Sequence, residues 1–387
     1  MPDFQEQFIK NREARAANAF SPSAYLGSWC ELFSMLASHT ELIENEVVDA
    51  LTLSSGIPRQ NLIRGIQLQF TGFANTPLSE FPWRRFDGEL YVAIVSAGNI
   101  PGVAVAPALL LAAIGCPVIV KLSHADQILF PWLLEKFEKR YEPSGISCGY
   151  WHWESKEFSD LLRGADKVIA FGSDLTTQSL QKQFGTKLLA FGHKFSIGIV
   201  DLFELDAFDF AGTTLDVSLF LQEGCLSPQT YFVRGTMDEV LKCAELFFEV
   251  LQNTFRALGG NNLEAASVFR RHALIDELDM LGEFYFADSS RSCIVTISEN
   301  LILSRLLGAF VVQFVPFSSL DDLAKKLTPI AKWLQGASLQ CEPSRHPIYE
   351  SLLMKFGCTY ITTPGSMQSP PITWNNGGFN LLEKILE

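Results

Sequence analysis

The sequence predicts an α/β fold of two lobes, each built on a parallel sheet with helices on both faces. Three observations predict it. Short apolar runs recur as "LYVAIVSAG" (90–98), "PVIVK" (117–121) and "KVIAF" (167–171), the length and composition of fully buried strands. Each run is followed by a segment with apolar residues at helical spacing, the alternation that gives parallel sheets. At 387 residues, 48% apolar and 19% charged, the chain can bury a large core and divide it.

Taken in order, residues 1 to about 65 read as helices, on the periodicity of "SAYLGSWCELFSMLASH" and "ELIENEVVDALTLSSG". "FTGFANTPLSEFPWRRF" (70–86) reads as irregular and aromatic. The strand at 90–98 leads into the apolar helix "GVAVAPALLLAAIG", entered through Pro101 and Gly102. The strand at 117–121 precedes the helix "DQILFPWLLEKFEKRY". The strand at 167–171 precedes "SDLTTQSLQKQF", and "KLLAFG" and "SIGIV" close the series. A second α/β round follows, with a helix ending at Gln222 and a strand near 229–233. It continues with a helix over 236–258, strands around 292–297 and 309–316, and a helix over 320–335. The expected division is 1–199 for N-terminal helices plus a cofactor-binding domain and 200–362 for a catalytic domain. Residues 363–387 form a tail that packs back on the cofactor domain or in an oligomer interface.

Charge and cysteine content exclude several functions. A net charge of −13 with scattered Lys and Arg disfavours a nucleic-acid partner. The eight cysteines show no CxxC pair and no regular spacing to histidine, so neither zinc nor a disulfide framework is indicated. The polar N-terminus lacks the apolar core of a secretory leader. The longest apolar run is too short to span a bilayer and is interrupted by Pro107. A cytoplasmic protein with reduced thiols is expected.

Four places could carry chemistry. In "LQEGCLSPQ" (221–229), Cys225 follows Gly224 at a helix-to-strand turn, where it is either an inert buried thiol or a nucleophile approached past the glycine. In "SAGNIPG" (96–102), Asn99 is either a turn residue or a carboxamide aimed at a developing oxyanion. Lys121 ends a strand, where ligands gather in open α/β sheets, or is simply solvated there. Gly172 and Ser173 in "FGSDLTT" open a helix, either as a diphosphate cradle or as a plain cap. No GxGxxG fingerprint and no GxSxG elbow is present.

The order of these pieces resembles the aldehyde dehydrogenase superfamily, and within it the LuxC-type fatty acyl-CoA reductases. "GNIPG" (98–102), "VIVKLS" (118–123), "AFGSD" (170–174), "FGHKFS" (191–196), "CLSPQ" (225–229) and "PGSMQSPPITWNNGG" (364–378) carry it, over roughly 90–378. The resemblance implies an aldehyde dehydrogenase-like fold of two Rossmann-like lobes with the active site in the cleft between them. It implies Cys225 as nucleophile, Asn99 as oxyanion-hole amide, Lys121 on the adenosine ribose, and Gly172 with Ser173 on the cofactor diphosphate.

Two departures sharpen that expectation. No acid stands near Ala190, where hydrolytic relatives carry the glutamate that activates water, and "RLLGAFVVQF" (305–314) replaces their Glu-Ile-Phe-Gly-Pro motif. Without that base, exchange between thioester and aldehyde is favoured over oxidation to the acid. His124 stands three residues beyond Lys121, where NAD-preferring relatives place an acid, so Lys121, Ser123 and His124 imply NADPH, with NADH as the alternative. The expected reaction is NADPH-dependent reduction of a fatty acyl-CoA or acyl-protein thioester to the aldehyde through an acyl-cysteine. The alternatives are an aldehyde or semialdehyde dehydrogenase of another substrate class, or a non-catalytic degenerate member. His193 is expected to hydrogen-bond structurally, with a proton-donor role as the alternative. The branch further implies an acyl-activating synthetase as partner and a homo-oligomer.

Overall fold

The computed structural model describes residues 21–79, 91–141, 143–153, 155–201, 207–260, 265–306 and 308–386. The first twenty residues and the aromatic stretch 80–86 lie outside the described residues.

Among the described residues, three helices come first: α1 (Pro22–Ser38), α2 (Asn45–Ser55) and α3 (Arg59–Ala74). Ser21 caps α1 by accepting the Ala24 amide, and Tyr25, Leu26, Trp29, Leu32, Phe33 and Leu36 bury one stripe of it. Helix α3 runs through Phe70 to Ala74, where the sequence had predicted irregular chain. Phe70 and Phe73 continue the face of Leu62 and Ile66, so burial of that stripe extends the helix. Two of its glycines permit close approaches that matter later. A Cβ on Gly65 would meet the Phe220 ring at 2.5 Å, and one on Gly72 would meet the Ser369 backbone at 2.3 Å.

The first sheet comprises β1 (Val92–Val95), β2 (Val118–Lys121), β3 (Ile146–Gly149), β4 (Lys167–Phe171) and β5 (Leu188–Phe191), all parallel in the order β3-β2-β1-β4-β5. Helices α4 (Val105–Ala113), α5 (Leu129–Glu138), α6 (Lys156–Gly164) and α7 (Asp174–Phe184) connect the strands. Nearly all of α4 is buried, as its composition predicts. Strand β3 and helix α6 were not predicted: β3 is four residues, half of them only partly buried, with Ser147 and Gly149 diluting its apolar signal. The order reverses direction between β1 and β4, so the C-terminal ends of these strands open a crevice suited to a nucleotide.

The chain crosses between sheets from Phe191 to Phe195. The second sheet comprises β6 (Phe195–Asp201), β7 (Pro228–Arg234), β8 (Tyr285–Ala287), β9 (Ile294–Ile297), β10 (Val311–Phe317), β11 (Leu334–Cys341) and β12 (Tyr360–Thr362) in the order β12-β11-β6-β7-β10-β9-β8. All pairs are parallel except β8 with β9. Helices α8 (Phe210–Ser218), α9 (Met237–Ala257), α10 (Ala265–Leu281), α11 (Leu320–Leu327) and α12 (His346–Lys355) surround it. A capping box of Thr236 and Glu239 starts α9 where predicted. The helix predicted over 320–335 is shorter. Pro329 cannot donate to an α ladder, so α11 stops at Leu327, a 3-10 turn follows, and Leu334 already begins β11. The tail returns to the first lobe: Ile372 and, on α13 (Leu381–Leu386), Leu382 and Ile385 join the core of α1–α5. No helix among the described residues is long and apolar enough to cross a membrane.

Candidate active site

Between α8 and β7 the backbone does something costly. Phe220, Leu221 and Gln222 are all left-handed, at φ of 51°, 56° and 62°. A non-glycine residue there costs about 1 kcal/mol or more, so three in succession need external support. Asn61 on α3 supplies part of it: its Nδ2 donates to the Ser218 carbonyl (2.8 Å) and its Oδ1 accepts the Phe220 amide (2.7 Å). Gln222 supplies the rest. Its Oε1 accepts the amide of Phe310 (2.6 Å), while Nε2 donates to the carbonyls of Pro228 (3.0 Å) and Val311 (3.3 Å). Ala309 and Phe310 are left-handed as well. One buried carboxamide thus stitches two strained segments together.

Cys225 sits in the tight turn that follows. Ser227 N donates to the Gly224 carbonyl (3.0 Å), and Ser196 Oγ donates to the Cys225 carbonyl (2.8 Å). Burial pushes the Cys225 thiol up to about 11, against the opposing pull of hydrogen bonds from the Cys225 and Leu226 amides. Those amides already meet the sulfur, so they favour the thiolate once it forms.

Asn99 stands opposite, in the turn after β1. Its Nδ2 donates to the Glu223 carbonyl (2.8 Å) two residues before the cysteine. A carboxamide nitrogen has two hydrogens, so one bond ties the lobes together and the second hydrogen remains for a ligand.

Cys225 lies on the wall of two cavities. The larger, about 740 Å³, gathers Asn99, Lys121, Gly172, Ser173, His193 and Cys225. Ser123, His124 and Ala190 lie on the same wall, so every site residue singled out in the sequence comes together here. The smaller, about 100 Å³, is apolar and runs between α3, α4 and the tail.

Several of these residues have detailed settings that the sequence did not reveal. Lys121 is 5% exposed, and its ammonium lies 4.7 Å from the Trp153 ring centre and 5.4 and 5.5 Å from those of Tyr150 and Phe158. Burial lowers its pKa. Ser123 Oγ accepts the Asp126 amide (3.0 Å), while His124 is exposed. Ser173 caps α7 by accepting the Thr176 amide (3.3 Å), and Gly172 admits the backbone close to Thr176. His193 donates its amide to Asp174 (3.2 Å), pinning the "FGHK" loop to α7. Arg305, first residue of the altered 305–314 segment, is buried against Glu283 and Glu277, while Leu306 and Gly308 face the large cavity.

The sequence reading missed Gln222 and Asn61 as supports, and it missed the part of the small cavity's wall that α3 and α4 supply. Glutamines 69 and 368, both buried on that wall, gave no local signal. No cluster of three or more His, Cys, Asp or Glu suited to a metal occurs among the described residues.

The model of the family "Acyl-CoA reductase (LuxC)" matches residues 85–386. No curated protein matches the chain. Among solved structures, an NAD-dependent benzaldehyde dehydrogenase from Corynebacterium glutamicum superimposes with a TM-score of 0.67 at 13% identity, covering 98% of this chain and 88% of its own. An NADP-dependent enzyme from E. coli gives 0.64 at 14% identity, over 93% and 82%. Aldehyde dehydrogenase C from Pseudomonas syringae, complexed with NAD+ and octanal, gives 0.60 at 13%, over 93% and 81%. At such identities the likeness is one of fold: the aldehyde dehydrogenase-like architecture.

Proposed function

The chain belongs to the LuxC acyl-CoA reductase family and is an oxidoreductase; from that premise we propose that it reduces a fatty acyl-CoA to the aldehyde through a thioester on Cys225, with NADPH as reductant. The observation that carries the proposal is the position of Cys225 on the shared wall of a nucleotide-sized cleft of mixed polarity and an apolar pocket. A reacting carbonyl at that junction has its alkyl chain on one side and its reductant on the other.

The cleft's residues suit a nicotinamide dinucleotide. It opens at the strand-order switch, Gly172 leaves its backbone bare, and the N-terminus of the eleven-residue helix α7 offers amides and a positive dipole end to a diphosphate. Lys121, a buried cation among aromatic rings, and the exposed His124 suit a ribose phosphate, and no acid at position 124 repels one. When bound, the reduced nicotinamide supplies hydride.

The chain's own groups supply the remaining chemistry. The Cys225 thiolate attacks the acyl carbonyl, and coenzyme A departs as its thiolate. The free hydrogen of the Asn99 carboxamide and a backbone amide at the cysteine turn hold the oxyanion. After reduction, the thiohemiacetal expels the Cys225 sulfur and releases the aldehyde. In balance, acyl-CoA, NADPH and one proton give aldehyde, coenzyme A and NADP+. With the thiol raised to about 11, the thiolate fraction at neutral pH is small, and acylation accelerates as pH rises toward that value. Ala190, facing the cleft, carries no group to activate water, which favours reduction of the thioester over its hydrolysis. The apolar pocket disfavours a phosphorylated semialdehyde.

Incubation with radiolabelled dodecanoyl-CoA in the absence of nucleotide tests the reading. One label per chain is expected on wild type and none on Cys225→Ala. Label retained by that variant would overturn it.

A further inference from the structure

Resting on the acyl-CoA reading of Cys225, we propose that the small cavity selects an acyl chain bearing a hydroxyl group, received by the side-chain carbonyl of Gln69. The cavity wall is mainly apolar, with Phe73, Ile100, Val103, Leu110, Ile372 and Trp374 dominating it and Gln368 and Asn376 as further polar side chains. Gln69 is 7% exposed, and its Oε1 is buried with no hydrogen-bond partner. The sense of its carboxamide is fixed, because Nε2 donates to the Pro101 carbonyl (3.2 Å), where an oxygen would repel.

No donor bonds Oε1, and the backbone beside it is committed elsewhere. A Cβ built on Gly102 would stand 3.2 Å from that oxygen, yet the Gly102 amide donates to Asp126 Oδ2 (2.8 Å). Among the other donors on the wall, the Trp374 indole donates to Thr359 Oγ1 (3.1 Å), and Gln368 Nε2 gives one of its two hydrogens to Ser227 Oγ (3.1 Å). A plain alkyl chain filling this pocket leaves a desolvated acceptor unsatisfied; a chain hydroxyl donates to it. The hydroxyl is then a specificity determinant read 156 residues away in sequence from the nucleophile it serves.

The experiment compares dodecanoyl-CoA with its β-hydroxy, mid-chain hydroxy and ω-hydroxy forms, reading Cys225 acylation and aldehyde formation by wild type, Gln69→Leu and the nearly isosteric Gln69→Met. At one hydroxyl position wild type is expected to show a kcat/KM advantage of about fivefold or more over the unsubstituted chain. Both variants are expected to lose that ratio, each read against its own activity on dodecanoyl-CoA, and thermal melts establish that they fold. No preference at any position, or a preference that survives in both variants, overturns the proposal and leaves the reductase reading standing. Failure of every chain to acylate Cys225 overturns both.

Discussion

The two cavities that meet at Cys225 are built in opposite ways. The larger cleft is made from strand ends and helix starts: Asn99 just beyond β1, Lys121 ending β2, Gly172 and Ser173 between β4 and α7. Each is the terminus of a local unit, and a parallel sheet brings all such termini to one edge by its topology alone. The apolar pocket has no such rule. Its wall joins α3, α4 and the tail, segments some 310 residues apart at their extremes, which meet because Gly72 lets Ser369 lie against the helix. A cofactor site can therefore be a property of the fold class, while a substrate pocket is a property of one chain's long-range packing.

The sharpest way to break the comparison is to strike the residue that spans both sides. Asn99 ties the first lobe to the loop carrying Cys225 through the Glu223 carbonyl and keeps a second hydrogen for a ligand. Asn99→Ala is expected to lower kcat/KM for acyl-CoA about a hundredfold, the typical cost of one oxyanion donor. Binding of NADPH by fluorescence titration is expected to change little. An equal loss in nucleotide affinity would mean that Asn99 organises the cleft and not the reaction.

A paired experiment then separates the cavities. Ala106→Phe on α4 projects a ring into the apolar pocket. It is expected to cut kcat/KM for dodecanoyl-CoA about tenfold relative to a short acyl-CoA, since each buried methylene is worth about 0.8 kcal/mol, and to spare the NADPH KM. Lys121→Ala is expected to do the converse, raising the NADPH KM about tenfold and leaving chain-length preference unchanged, as fits loss of one charge-assisted contact. Steady-state kinetics across chain lengths read both. Crossed effects would mean that the two cavities are one.

How much was legible follows from the same contrast. The alternation of strands and helices was readable because burial in a parallel sheet demands continuous apolar runs, as in "VAIV" and "VIVK". The cleft residues singled out were legible only as alternatives, since Asn, Gly and Ser at a strand end also make plain turns and caps; the order of the motifs and its resemblance to a known family chose between the readings. Strand β11 was hidden by the helical look of "LAKKLTPIAKWL", where Pro329 ends the helix early. Gln222 and Asn61 were unreadable for another reason. Their carboxamides repair left-handed backbone that exists only after folding, and nothing in "SLFLQEG" announces three positive φ angles.

The smallest expected effect concerns the lid of the apolar pocket. Asp216 on α8 accepts the amides of Gly365 (2.8 Å) and Met367 (3.0 Å), fixing the tail just before Gln368 and Pro370 reach the pocket wall. Burial pushes its carboxyl up to about 8, Asp209 adds to the rise, and the two amide bonds oppose it. A folded-state value above the unfolded 3.8 means that the native protein holds this proton more tightly. The stabilisation is complete below the unfolded value and is lost as pH climbs through about 8. In Asp216→Asn the titrating group is gone and one amide bond is lost. The melting-temperature difference between wild type and variant is therefore expected to be a degree or two at pH 5 and to shrink by pH 9, since about 1 kcal/mol moves a chain of this size by about 1 °C. NADPH affinity is expected to stay level in both proteins across that range. A difference that widens with pH would mean that the carboxylate is charged in the fold and that the amides, not burial, govern it.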